Sequence, residues 1–183
     1  MISRLKPILV SSPSEPAWLS KVIIRPAEKE DLPALEWDGE YRHFRNVFAQ
    51  AWQRSQKGLS VLWVAELPGV GLIGQVFIQL ICDRHELADG KSRAYLYSFR
   101  VRPAYRGQGL GSRILQIVEN DLRQRGFRYV TLNVGKENQR AQKMYKRHGY
   151  HIVAHEPGNW SYVNDEGIII DVHEPAWRMQ KKL

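Results

Sequence analysis

Arg106-Gly107-Gln108-Gly109-Leu110-Gly111 is the stretch whose reading decides the fold. It follows an apolar, aromatic run from Ala94 to Val101 and leads into a segment with helical patterning, so a strand turns through glycines into a helix. Glycine admits positive φ and close backbone approach. The unpaired N–H groups of the helix's first turn, reinforced by the helix dipole, then face whatever lies in the bend. Such a turn is suited to a phosphorylated ligand, and spacing says which kind. A Walker A loop needs Lys and then Ser or Thr after its last glycine, whereas Ser112 and Arg113 follow Gly111. The dinucleotide fingerprint needs a glycine where Ser112 stands. What remains is Arg-x-x-Gly-x-Gly, and alone a Gly-x-Gly turn is weak evidence.

A second pattern lies downstream. Asn138-Gln139-Arg140-Ala141, then Tyr145, then Gly149-Tyr150 follow the spacing Asn-x-x-Ala-x-x-x-Tyr-x-x-x-Gly-aromatic. Together the two segments resemble the acetyl-CoA-binding signature of the GNAT (Gcn5-related) N-acetyltransferase superfamily, with the specific match running from about Tyr95 to Tyr150. The resemblance implies a mixed α/β (α+β) fold: a central mixed, mostly antiparallel β-sheet flanked by helices, with splayed middle strands holding the CoA arm. It implies an enzyme using acetyl-CoA as cosubstrate to acetylate a primary amine, on a small molecule or a peptide or protein, by direct attack. A homodimer is left open.

The charge supports a polyanionic ligand. The chain's net charge is +8, yet between Arg100 and Tyr150 twelve Lys or Arg face only Glu119, Asp121 and Glu137, so the whole excess sits in this segment. A phosphate backbone would also suit such a cluster, but no nucleic-acid-binding motif accompanies it, so no nucleic-acid partner is expected. Arg123, Arg125, Lys143 and Arg147 read as solvated helix faces.

With 183 residues, 43% of them hydrophobic, the chain suits a single acetyltransferase domain over 21–183 behind a flexible arm of residues 1–20, rich in Pro and Ser. Apolar runs such as Val61 to Ala65 fall far short of the roughly 20 residues of a membrane span, so no membrane partner is expected. Nothing at the N-terminus resembles a signal peptide. The single cysteine, Cys82, fits a reducing cytoplasm and reads as a small buried residue. His151 and His155 lie in strand-like sequence, and no His-Glu-x-x-His or cysteine pair occurs, so no metal is expected.

Periodicity and turn residues predict a strand at Val22–Arg25, a helix capped by Asp31 with Pro33 at its first position, and a helix from about Tyr41 to Gln56 ended by Gly58. They predict a hairpin of Val61–Leu67 and Leu72–Ile81 and a strand at Ala94–Val101. After the glycine turn come a helix ended by Gly126, a strand at Arg128–Val134, and a helix capped by Asn138 that stops at Gly149. Tyr150–Ala154, a hairpin of Trp160–Val163 and Ile168–Val172, and Ala176–Gln180 complete the strands.

The resemblance also assigns roles. The main chain of Phe99 and Val101 would bind the pantetheine arm and acyl oxygen. The N–H groups of Gly107, Gln108, Gly109, Leu110, Gly111 and Ser112 would hold the pyrophosphate, with Arg106 adding charge. Asn138 would hydrogen-bond the cofactor arm, and Tyr145 would be the general acid near sulfur. Read from the residues alone, Asn138 is also a natural helix cap and Tyr145 a core aromatic. Some relatives carry a glutamate where this chain has Tyr95, and no acid lies between Asp89 and Glu119. A tyrosine, Tyr95 or Tyr97, is a poor base near neutrality; Tyr97 can instead orient a water or the substrate. Glu40, Glu66 and Asp83 are the other base candidates. The acceptor is expected beside Glu36, Asp38 and Glu40, an acidic cluster suited to a cationic amine, with the Trp160–Val172 hairpin as a neighbouring wall. A module that binds acyl-CoA without transfer, or one taking a larger acyl group, stays open.

Overall fold

Alternation of apolar side chains along the strands gives the sheet two buried faces, and each face recruits its own helices. The computed structural model describes residues 15–183. Seven strands form one sheet: β1 (Ile23–Pro26), β2 (Ser60–Leu67), β3 (Gly71–Gln79), β4 (Arg93–Val101), β5 (Tyr129–Gly135), β6 (His151–Glu156) and β9 (Ala176–Lys182), in the order β1-β2-β3-β4-β5-β9-β6. Neighbours are antiparallel except β4 and β5, which run parallel. Strands β7 (Asn159–Val163) and β8 (Ile169–His173) form a separate hairpin. The helices are α1 (Arg45–Gln56), α2 (Leu110–Gln124) and α3 (Gln139–Arg147), with four short 3-10 turns. The result is the mixed, mostly antiparallel sheet with flanking helices that the sequence predicts.

In β2, Val61, Trp63 and Ala65 pack into one cluster with Ile114, Leu115, Val118 and Leu122 of α2 and Tyr145 of α3. The alternate residues Leu62 and Val64 join Phe77 of β3 against Phe48 and Ala51 of α1 on the other face. Helix α2 carries its apolar residues at helical spacing, and Gly126, at φ +86°, follows its last turn as a left-handed terminator.

Three expectations need correction. Residues 1–14 of the expected arm lie outside the described residues, but its end is packed: Leu19 is buried, Trp18 meets Tyr105 edge-on at 4.9 Å, and Arg113 donates to the Leu19 carbonyl at 2.6 Å. Asp31 is not an N-cap. Glu28 caps a 3-10 helix, Lys29–Glu36, and Asp31 sits three positions in, where it accepts the Glu28 N–H at 2.7 Å and an ion pair from Arg25 at 2.7 Å. The helix expected from Tyr41 begins as a 3-10 turn, Arg42–Phe44, before α1 proper.

One polar group is held inside this framework. Glu119 of α2, 3% exposed, receives Lys181 Nζ of β9 at 2.6 Å and the Tyr150 hydroxyl at 3.0 Å. Removing one member of such a set strands the others in low dielectric. Glu119→Ala is therefore expected to lower unfolding free energy by about 3 kcal/mol in urea denaturation, and Glu119→Gln, which can still accept from Tyr150, by less. Equal midpoints for Glu119→Ala and wild type would show that the network adds nothing to stability.

Candidate functional site

Strands β4 and β5 pair only from Arg93 to Leu96 and from Tyr129 to Leu132. Beyond that point they part. The cause is local: β4 carries an extra residue opposite β3, where the register shifts between Gln75 and Phe77, and Ser98 in that bulge has φ +52°. The bulge leaves the main chain of Phe99 to Val101 without a partner on the β5 side, while on the other side β3 still pairs with Arg100 and Val101.

The chain then turns through Pro103–Tyr105 into the glycines. Gly107 and Gly109 have φ of +74° and +99°, values that L side chains rarely adopt. Gly109 is the N-cap of α2, and no side chain caps that helix. Its first-turn N–H groups are therefore free of side-chain partners and point into the turn with the positive end of the helix dipole.

A cleft of about 660 Å³ opens there, between the parted strands, the start of α2 and one face of α3. Of the residues that the sequence assigned to the cofactor, Phe99, Val101, Arg106, Gly107, Gly109, Gly111, Ser112 and Asn138 line it, as does Tyr145. The side chains of Gln108 and Leu110 do not: Gln108 accepts from Trp18 at 3.2 Å and donates to the Ala104 carbonyl at 2.9 Å, and Leu110 is fully buried. Only their N–H groups remain for a ligand. Arg106 folds back so that its Nε donates to the Val101 carbonyl at 2.6 Å.

Asn138 does cap α3, its Oδ1 accepting the Ala141 N–H at 3.1 Å, which leaves its amide nitrogen for the cleft. Tyr145 is 6% exposed and lies edge-on to Tyr150 at 5.5 Å. Burial, with a smaller push from Tyr95, raises its pKa well above the usual tyrosine value, so the phenol keeps its proton at neutral pH.

Other groups in the cleft escaped the sequence reading. Arg140 and Arg147 line it, although Arg147 looked like a solvated face. His148 also lines it and pairs with Ser112 (Nε2 to Oγ, 2.8 Å); burial lowers its pKa, opposed by Glu119 and assisted by Lys181 and Arg147. The signal was its place one turn beyond Tyr145 on the same helical face. Outside that lining, Asn133, the first residue of β5 past the stretch paired with β4, holds a buried side-chain oxygen without a partner among the described residues. Nothing in a strand's alternation distinguishes such an asparagine.

The base candidates fare unevenly. Tyr95 and Tyr97 stack at 5.9 Å, and burial pushes each up to about 12, so neither accepts a proton near neutrality. Glu66 is ion-paired with Arg25 at 2.9 Å. The acidic cluster is largely neutralised as well. Glu36 binds Arg45 at 2.6 Å and Asp38 binds Arg102 at 3.0 Å, which leaves Glu40. The hairpin packs against the start of α1: Tyr162 lies 4.8 Å from Phe44, Asn46 donates to the Asn164 carbonyl at 2.5 Å, and Arg42 pairs with Asp165 at 3.0 Å. Among the described residues no three His, Cys, Asp or Glu side chains gather as metal ligands, and no helix is long and apolar enough to cross a membrane.

Comparison with known proteins agrees with this geometry. The family model described as "Acetyltransferase (GNAT) family" matches residues 24–150. The uncharacterized N-acetyltransferase YycN of Bacillus subtilis (strain 168) is 28% identical over 89 residues, 49% of this chain and 54% of that protein, so the match spans about half of the relative's length. Among solved structures, the Escherichia coli ribosomal-protein-S18-alanine N-acetyltransferase superposes with TM-score 0.65 at 22% identity, covering 88% of this chain and 93% of that one. The PaiA N-acetyltransferase of Thermoplasma acidophilum, in complex with coenzyme A, gives TM-score 0.63 at 18% identity, covering 88% and 99%. At these identities the structures establish a shared fold.

Proposed function

Because the chain belongs to the GNAT family of acetyltransferases, we propose that it binds acetyl-CoA in the β4–β5 cleft and transfers the acetyl group directly to a primary amine. One observation carries the reading: the uncapped, glycine-led N-terminus of α2, four arginines and a buried, protonated tyrosine all line one cleft.

The residues fit the cosubstrate. Free N–H groups at the start of α2, with Arg106, Arg140 and Arg147, suit a polyphosphate. The main chain of Phe99 to Val101, which has no strand partner on the β5 side, suits the amides of an extended arm, as does the Asn138 amide nitrogen. Acetyl-CoA, when bound, supplies an activated thioester carbonyl. The N–H groups along β4 can stabilise negative charge on an acyl oxygen. Tyr145 holds a proton on its hydroxyl and can hand it to a departing sulfur.

For removal of the proton from the amine, the cleft lining offers no carboxylate and one imidazole, His148, whose Nε2 is paired with Ser112 Oγ at 2.8 Å. Tyr95 and Tyr97, buried and protonated on the part of β4 before the cleft, are no substitute, and the hydroxyl of Tyr97 can at most orient a water or the acceptor. Asn133 Oδ1 can accept a hydrogen bond from an amine N–H. Glu40 remains as the acid that can draw a cationic amine towards the mouth, while Glu36 and Asp38 hold the loop's shape through their arginines.

The deciding experiment is release of CoA thiol from acetyl-CoA in the presence of amino acids, peptides, polyamines and aminoglycosides. The account expects thiol release that depends on one amine class, with the acetylated amine visible by mass spectrometry. Tight acetyl-CoA binding without thiol release from any amine would instead make the protein a binding module.

A further inference from the structure

We propose that the acceptor side of the cleft contains a carboxylate subsite built from Arg100 and Gln75, so that the amine acetylated here also bears a carboxylate, as amino acids and short peptides do. The inference rests on the acetyltransferase reading and names its substrate class.

Arg100 of β4 lies directly opposite Gln75 of β3, and residues so paired share a face of the sheet. That face is the one covered by α1: Gln75 pairs on its other side with Val64, which belongs to the α1 cluster. The Arg100 guanidinium lies over the rings of Tyr41 at 4.3 Å and Phe44 at 5.1 Å, and donates to Ser98 Oγ at 2.8 Å. Other arginines of this region have acids: Arg42 has Asp165, Arg45 has Glu36 and Arg102 has Asp38. Arg100 makes no ion pair among the described residues. Burial lowers its pKa, and attraction from Tyr41 and Glu40 does not make up the difference, as expected for a cation under-supplied with negative charge.

Gln75 supplies a second, independent sign. It is 0% exposed, and both its Oε1 and its Nε2 lack any hydrogen-bond partner. A buried amide without partners is costly and uncommon, and such groups concentrate where a ligand or water completes them. A guanidinium fork and an amide N–H donor on neighbouring positions of one sheet face match the two oxygens of one carboxylate.

The same arrangement argues against a polyamine, whose charge would be set beside Arg100. Around the subsite, Phe44 stands 4.8 Å from Tyr162 and 6.4 Å from Trp160, which gives the acceptor's body an aromatic wall. Arg100 also contributes to the lining of the cleft that Tyr145 lines, so this subsite on the α1 face adjoins the reaction chamber through β4.

Matched substrates test this in the wild-type protein. The twenty protein amino acids, each beside its carboxamide, and spermidine are compared by KM in the thiol-release assay. The best acid is expected to have a KM at least tenfold below that of its own amide, although the amide offers more neutral amine. Arg100→Gln is expected to abolish that preference, bringing the KM values of the acid and its amide to within twofold of each other. An amide as good as its acid, or a preference for spermidine, overturns the proposal, and needs no variant to fold. Loss of acetyl-CoA affinity in Arg100→Gln would assign the arginine to the cofactor's phosphates and overturn it equally. If no amine releases thiol, the transfer reading fails on its own. Calorimetry of N-acetylphenylalanine against N-acetylphenylalaninamide on the CoA-loaded protein then judges the subsite: preference for the acid sustains it, and equal or absent binding of the two removes it.

Discussion

Tyr145→Phe is expected to lower kcat by roughly 10-fold to 1,000-fold while leaving acetyl-CoA affinity and fold nearly intact. The substitution keeps the ring, its burial and its edge contact with Tyr150 at 5.5 Å, and removes only the hydroxyl. If Tyr145 were simply part of the apolar cluster around α2, losing that hydroxyl would cost nothing in turnover. If it donates a proton to the departing sulfur, the loss falls on the transition state and appears in kcat rather than in cofactor binding. Burial strengthens the second reading, since a raised pKa keeps the phenol protonated at the pH of reaction. The measurement is steady-state kinetics on the identified acceptor, with chemistry shown to be rate-limiting. Wild-type turnover would return Tyr145 to the core.

Gly109→Val should weaken acetyl-CoA binding tenfold or more in calorimetry. A β-branched residue at φ +99° pays a strain of about 1–2 kcal/mol, and about 1.4 kcal/mol is already a factor of ten. The new Cβ would also meet Leu19 Cδ2 at 3.1 Å, on a side chain that is 1% exposed and has little room to give. The effect therefore comes less from a side chain blocking the ligand than from the turn being forced out of the shape that aims the N–H groups of α2. Circular dichroism of the variant separates a displaced turn from an unfolded chain. A folded variant with unchanged affinity would remove the phosphate from this turn.

Features set by local spacing were legible in the sequence. The glycine turn, the apolar stripe of α2, the Asn138 cap of α3 and the alternation of β5 each depend on residues within a turn or two of one another, and each is found where it was expected. What escaped depends on partners far along the chain. The acids Glu36 and Asp38 looked like a substrate patch because Arg45 and Arg102 could not be seen beside them. Leu19 and Trp18 looked like part of a loose arm because their contacts, Arg113, Gln108 and Tyr105, lie more than eighty positions away. Arg100 and Gln75 are ordinary polar residues in strand-like sequence until the register sets them opposite one another. The bulge at Ser98 that opens the cleft has no glycine to announce it.

The central claim, that the cleft between β4 and β5 holds acetyl-CoA, is tested most directly by titrating the isotope-labelled protein with acetyl-CoA and following backbone amide resonances. The account predicts saturable shifts concentrated in Phe99 to Val101, Gly107 to Ser112 and Asn138 to His148, with the β1 edge of the sheet undisturbed. Absence of shifts at millimolar acetyl-CoA, or saturable shifts confined to residues outside those three segments, would contradict it.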